Sequence, residues 1–238
     1  MPTMPRLWME VTLDDRSRAI AIGERRAIRE DCKHPDALYV NVGTGVGLGI
    51  FVGGQLYRGQ AHAGEVGHLT LDKNGPLCAC GKKGCVEAYA AIPAVIRGVR
   101  GALAAGTASL IRDISLQYPG AATIEMVVAA AGKGDRVALS ALQQAATGLG
   151  LGIAHAVLLL NPSLVALRGR LARIAGRHLV PAIRQTVRQQ CSELTHGHFE
   201  IRLASAKKDV AAVGCALLAA EAEAAILVRE SLYEATKS

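Results

Sequence analysis

The chain has 238 residues and is half apolar, enough for a buried core and for one or two domains. Its formal charge of +7 would raise nucleic acid as a partner. The basic residues, however, are spread as Arg25-Arg26, Lys82-Lys83, Lys207-Lys208 and single positions, with no aromatic interleaving and no basic recognition helix. They read as solvated surface, so no nucleic-acid partner is expected through this segment.

Other classes are excluded on similar grounds. The opening MPTMPRLWMEV lacks the charged region and long apolar run of a secretory signal. The most apolar stretch, 149–167, is interrupted by His155, Asn161 and Pro162, which suits a buried helix followed by a strand and not a membrane span. Six cysteines fit a reducing, cytoplasmic setting, with Cys32, Cys191 and Cys215 as ordinary thiols. Aromatics make up only 3% of the chain, so the core must be built from Ala, Leu, Val and Ile.

In chain order, residues 7–13 form a possible strand and 19–30 a helix with small apolar residues on one side and Arg and Glu on the other. A turn cluster at 33–36 leads into three strands within 38–57, the first running into a Gly-Thr-Gly turn before the apolar strand 50–52, a tight Gly-Gly turn and 55–57. Residues 86–104 read as helical with a break at Pro93, and 106–120 as a polar connection. Thr123 caps a short helix over 124–131, and Gly134-Asp135 starts a long one over 136–160 that Asn161-Pro162 ends. A strand at 164–167, an amphipathic helix at 177–191, a strand at 200–204 and an apolar helix at 210–224 follow, with an Ala/Glu tail that frays near Lys237.

Chemistry concentrates in 63–87, AGEVGHLTLDKNGPLCACGKKGCVE. His68, Cys78, Cys80 and Cys85 form a Cys3His set, the ligand count of a closed structural zinc site. Gly81 and Gly84 permit the backbone turn that aims the thiols inward, and Lys82 and Lys83 help keep them ionised. A disulfide or free buried thiols are the alternatives, although Cys78 and Cys80 are too close in sequence for a comfortable mutual bridge. Glu65 and Glu87 flank the loop and offer carboxylates to paired hydroxyls, the donor pattern of a sugar. Upstream, Gly43, Thr44 and Gly45 present backbone N–H groups that suit a phosphate.

Together, GTGVGLG, AGEVGH, CACGKKGC and the following VE resemble the signature of the ROK family, the repressors, open reading frames and sugar kinases of the actin-like ATPase superfamily, across residues 19–220. The resemblance implies an α/β, ribonuclease H-like lobe with an inserted zinc loop, in a two-lobed design where ATP and a hexose meet in a cleft. On that pattern, residues 1–30 are a remnant of the N-terminal lobe with its linking helix, and 31–238 are the C-terminal lobe with its zinc loop at 68–85. His68, Cys78, Cys80 and Cys85 match the zinc ligands, and Glu65, His68 and Glu87 match the sugar contacts. His68 can serve both, with one ring nitrogen for each. The family habit also implies a homodimer.

Three departures bear on function. No Asp-x-Gly-Gly-Thr phosphate loop precedes Leu38, so most of the N-terminal lobe is expected to be missing. Counting back from Gly23-Glu24, the kinase base falls at Arg16, which cannot accept a proton; Asp15 takes that place only if the register slips by one. Where a Gly-Gly pair should meet the adenosine, the chain reads Leu167-Arg168-Gly169-Arg170. The expectation is a non-catalytic, sugar-binding portion of a sugar-responsive regulator. The alternatives are a glucokinase-like hexose kinase using Mg-ATP, and a zinc-stabilised remnant kept for oligomerisation.

Overall fold

The computed structural model describes residues 11, 13–28, 33–112, 122–191, 199–204 and 209–235. Most of the strand expected at 7–13, the helix end at 29–30, Cys32, most of the 106–120 connection and the last residues of the tail lie outside these; residues 11 and 13 are described and are not in a strand. Among the described residues five strands, β1 (Ala37–Val42), β2 (Val46–Val52), β3 (Gln55–Tyr57), β4 (Leu164–Arg168) and β5 (Glu200–Leu203), make one mixed sheet in the order β3-β2-β1-β4-β5. β1–β2 and β2–β3 are antiparallel hairpins; β4 lies parallel to both β1 and β5.

The strands of the sheet centre are apolar on both sides because both faces are covered. Leu38, Val40 and Val42 of β1 and Val165 and Leu167 of β4 enter one core; Ala37 and Tyr39, with Leu164 and Ala166, enter the other. The period of two along a strand sorts them. On the first face lie α2 (Val86–Ala90), α3 (Ile92–Ala104), α4 (Ile124–Gly132), α5 (Arg136–Leu160) and α6 (Arg170–Gln190). On the second, α1 (Arg16–Ile28) packs with α7 (Val210–Ala235), where Ala19, Ala21 and Ile22 meet Phe51 and Leu218.

Several elements differ from the sequence expectation for local reasons. α1 begins at Arg16, three residues early, because Asp15 caps it: its Oδ1 accepts from the N–H groups of Ser17 (2.7 Å) and Arg18 (3.2 Å). β2 begins at Val46, so Gly47 and Gly49 are strand residues and not turn residues. A Cβ on them would stand 2.1 Å from Ser17 Oγ and 2.2 Å from Ala21 Cβ, so the glycines let α1 lie directly on the strand. The helical break falls at Ala91, in extended conformation, and Pro93 sits in the first turn of α3, where its missing N–H costs nothing. α6 starts seven residues before the expected position and carries Pro181 in its interior.

The caps of the middle helices stand as read. Thr123 Oγ1 accepts from the Met126 N–H at 3.3 Å, Asp135 Oδ1 accepts from the Ala138 N–H at 2.9 Å, and Asn161 closes α5 in a left-handed conformation at φ 43°. α5 and α7 are each long and apolar enough to cross a membrane by length and composition, but two-thirds of the qualifying window of α5 is buried inside the core.

Candidate functional site: a cleft at the strand ends beside a Cys3His cluster

A cleft of about 1390 Å³ opens at the carboxyl ends of the parallel strands β1 and β4, the usual place for a ligand in an α/β sheet. Its lining contains Asp15, Arg16, Gly43, Thr44, Gly45, Glu65, His68, Glu87, Arg168 and Arg170. Topology thus brings every sugar and phosphate candidate named above into one concavity.

His68 ends a short 3-10 turn, Val66–His68, that packs under β2 and α2. Its Nδ1 is 3.8 Å from Cys78 Sγ, and Cys80 Sγ is 3.7 Å from Cys85 Sγ. The ligand atoms of His68, Cys78, Cys80 and Cys85 all lie within 4.8 Å of one another. A tetrahedron with metal–sulfur arms of about 2.3 Å has edges of about 3.8 Å, which the His68–Cys78 and Cys80–Cys85 separations match, so the four groups are placed to hold one ion. The disulfide alternative is not met among the described residues, where Cys78, Cys80 and Cys85 are free thiols.

The loop geometry follows from its glycines. Gly81 and Gly84 take positive φ of 88° and 71°, and a Cβ on Gly84 would sit 1.6 Å from the Asp72 carbonyl oxygen. The Cys78 N–H donates to the Lys82 carbonyl at 2.8 Å and the Gly81 N–H to the Cys78 carbonyl at 3.0 Å, closing the turn that carries the three cysteines. Lys82 Nζ donates to the His68 carbonyl at 2.9 Å, tying the two ligand segments together. Burial, with hydrogen bonds from Cys80 and Cys78, pushes the Cys85 thiol up to about 12, whereas the backbone at Lys82 draws the exposed Cys80 thiol down.

On the cleft side, His68 Nε2 is 3.9 Å from Glu65 Oε2, too long for a direct hydrogen bond. Glu87 stands in the first turn of α2 and its Oε2 accepts from the Val46 N–H at 2.9 Å, which fixes the carboxylate against the start of β2. Within the Gly43-Thr44-Gly45 turn, the Gly43 N–H is already taken by the Gly45 carbonyl at 2.9 Å.

Arg16, which the family pattern places at the kinase base, is exposed and lines the cleft. Asp15 also lines it, but one of its oxygens is committed to capping α1. Arg168 ends β4 and pairs with Glu24 of α1, whose side chain is fully buried. Arg170 Nη2 meets Glu125 Oε1 at 2.7 Å. Between them Gly169 has φ 100°, and a Cβ there would stand 2.2 Å from the Val42 carbonyl oxygen.

The sequence reading gave Arg18 no structural role. Only 5% exposed, it pairs with Asp14 and donates from Nη1 to the carbonyls of Ala61 (2.8 Å) and Ala63 (3.4 Å), pinning the loop that leads to Glu65. A charged residue set against the small apolar run AIAI was the available signal.

A two-faced α/β sheet of this order, with its cleft at the strand ends, defines an actin-like ATPase type of lobe, and the similar solved structures share it. The ROK family model matches residues 5–222, and the chain belongs to that family. It is 30% identical over 208 residues to the xylose repressor of Caldicellulosiruptor bescii, covering 87% of this chain and 51% of that protein. Its structure is similar to that of a ROK family transcriptional regulator described as a homolog of the E. coli MLC protein, with TM-score 0.76, 28% identity and coverage of 87% and 50% of the two chains. It is also similar to a ROK family glucokinase from Streptomyces griseus in complex with glucose and AMPPNP, with TM-score 0.76, 28% identity and coverage of 91% and 70%. The chain spans about half the length of the repressors it matches.

Proposed function

We propose that the chain is a cytoplasmic, non-catalytic, sugar-binding lobe of a sugar-responsive regulator, with a hexose-type ligand held by Glu65, His68 and Glu87 next to a structural zinc ion. The observation that carries this reading is the two-sided His68. One ring nitrogen belongs to the Cys3His cluster and the other faces Glu65 across 3.9 Å, a gap that one hydroxyl oxygen spans with about 2.8 Å on either side. Zinc held by His68, Cys78, Cys80 and Cys85 fixes the imidazole, as metal ligands and their outer partners do in general. Its chemistry there is structural: four protein ligands leave no open position for Lewis-acid work.

The absence of a proton acceptor at Arg16 supports binding without phosphoryl transfer, because a guanidinium cannot take the hydroxyl proton. The repressor among the similar proteins agrees with a regulator, and the homodimer belongs to the same reading. The kinase alternative rests on Asp15, which reaches the cleft. One experiment separates them: the purified chain is given glucose, xylose and N-acetylglucosamine with Mg-ATP, and sugar binding and ADP release are followed together. Binding without ADP release is the expected result. Turnover that is lost in Asp15→Asn would establish the kinase.

A further inference from the structure

We propose that the outer face of α6 is a docking surface for the phosphate backbone of duplex DNA, independent of base sequence. In the linear sequence its arginines look isolated. The helix aligns them: Arg170, Arg173, Arg177, Arg184 and Arg188 follow a spacing of three, four and seven residues, and α6 contains no acidic residue. At 3.6 residues per turn they fall within about 60° of arc, a stripe about 27 Å long. All five are exposed, as is Pro181 among them.

The partners already present do not exhaust these groups. Arg170 pairs with Glu125 (2.7 Å), Arg177 Nε contacts His178 Nε2 (3.0 Å), and Arg184 donates from Nε to the Ile201 carbonyl (3.0 Å). Each guanidinium has five N–H donors in a rigid fork, so every one keeps donors for a phosphate. Glu125 is the acidic side chain that meets the stripe among the described residues, at its first arginine. A groove of about 470 Å³ lined by Pro181, Arg184, Gln185, Arg188 and Gln189 runs along the second half of the helix.

The composition of the face selects the occupant. A protein partner would be expected to find an apolar or aromatic anchor at the centre of its contact, and the stripe offers only Pro181 there. Single-stranded nucleic acid is held by aromatic stacking platforms, and α6 has no aromatic residue. A straight row of guanidinium forks matches a regular line of phosphates, whose charge density along a duplex is high and evenly spaced.

The test uses this chain, a labelled mixed-sequence DNA duplex and fluorescence anisotropy at increasing salt, with the double variant Arg177→Gln/Arg188→Gln. Neither residue lines the cleft. With four phosphates contacted, affinity should fall roughly a hundredfold between about 50 and 200 mM salt, and only roughly tenfold in the variant. Arg177→Lys/Arg188→Lys should restore most of that dependence, and metal content and sugar response should be unchanged in both variants. No saturable binding at low salt, or a salt dependence that the glutamine variant leaves intact, would overturn the proposal. Competition by polyglutamate as effective as by unlabelled DNA would overturn it in favour of an acidic protein surface.

Discussion

At the scale of single residues, the site is built from side chains with two tasks each. His68 faces the cysteines with one nitrogen and the cleft with the other, and Glu87 lines the cleft while accepting the Val46 N–H. Cys80 is the exposed member of the cluster, so its removal tests the metal with little packing loss. In Cys80→Ser, stoichiometric zinc is expected to disappear from elemental analysis. At a free metal concentration a hundredfold above the Kd, binding contributes about 2.7 kcal/mol to stability, so urea unfolding should show at least that loss relative to the zinc-loaded chain. Equal zinc content in the two proteins would contradict the ligand set. The cluster itself was legible in the sequence because three of the four candidate ligands lie within one short turn, and its glycines are required there by positive φ. The contact of Arg18 with the Ala61 carbonyl and the pairing of Arg168 with Glu24 were not legible, because each joins segments far apart in the chain.

At the scale of elements, helix starts were readable where a side chain caps them and misplaced where tertiary contact decides. Asp135 is the clearest cap: 7% exposed, it accepts from the N–H groups of Ala138 (2.9 Å) and Leu110 (2.7 Å), joining the start of α5 to the segment after α3. Burial pushes its carboxyl up, but these hydrogen bonds outweigh that and hold its pKa below the ordinary 3.8. A lowered folded-state pKa means the carboxylate's contribution is present above the ordinary carboxylate range and is lost as pH falls below it. Asp135→Ala should therefore destabilise by about 1 to 2 kcal/mol at neutral pH, and the difference from wild type should shrink in acid. A pH-independent difference would contradict the cap. The start of β2 was misplaced because Gly47 and Gly49 look like turn residues until α1 lies on them. A similar contact joins α1 to α7: a Cβ on Gly23 would stand 1.8 Å from the Val210 carbonyl oxygen, and one on Gly214 1.7 Å from that of Ala19. Overpacking commonly costs 1 to 3 kcal/mol, and here it meets backbone that cannot rotate away, so Gly23→Ala should cost about 3 kcal/mol or more in urea unfolding. A neutral result would mean the helices do not cross this closely.

At the scale of the whole molecule, the family pattern supplied the sheet and the cleft, and the departures from it govern the chemistry. Arg168 and Arg170 line the cleft where the pattern has bare glycine backbone, each engaged by a carboxylate, and the Gly43 N–H is spent inside its own turn. Calorimetry with Mg-ATP is expected to give no saturable heat in the millimolar range, and Arg168→Gly/Arg170→Gly should not restore it. The proposed sugar contacts Glu65, His68 and Glu87 remain in the cleft. Glu65 and His68 are partly solvated, which weakens the charge-assisted hydrogen bonds they can offer. A hexose affinity near millimolar, about 4 kcal/mol, is therefore expected. The most direct measurement is a two-dimensional NMR titration of the zinc-loaded chain with hexoses, read at the amides of Val46, Glu65 and Glu87 and repeated on Glu87→Gln. Gln keeps an oxygen for the Val46 N–H, so the fold and the metal should survive while saturable shifts at all three amides weaken by about tenfold or more, the loss of roughly 1.5 kcal/mol from one charge-assisted bond. No sugar-dependent shifts at these amides, or shifts that Glu87→Gln leaves untouched, would contradict a sugar site in this cleft.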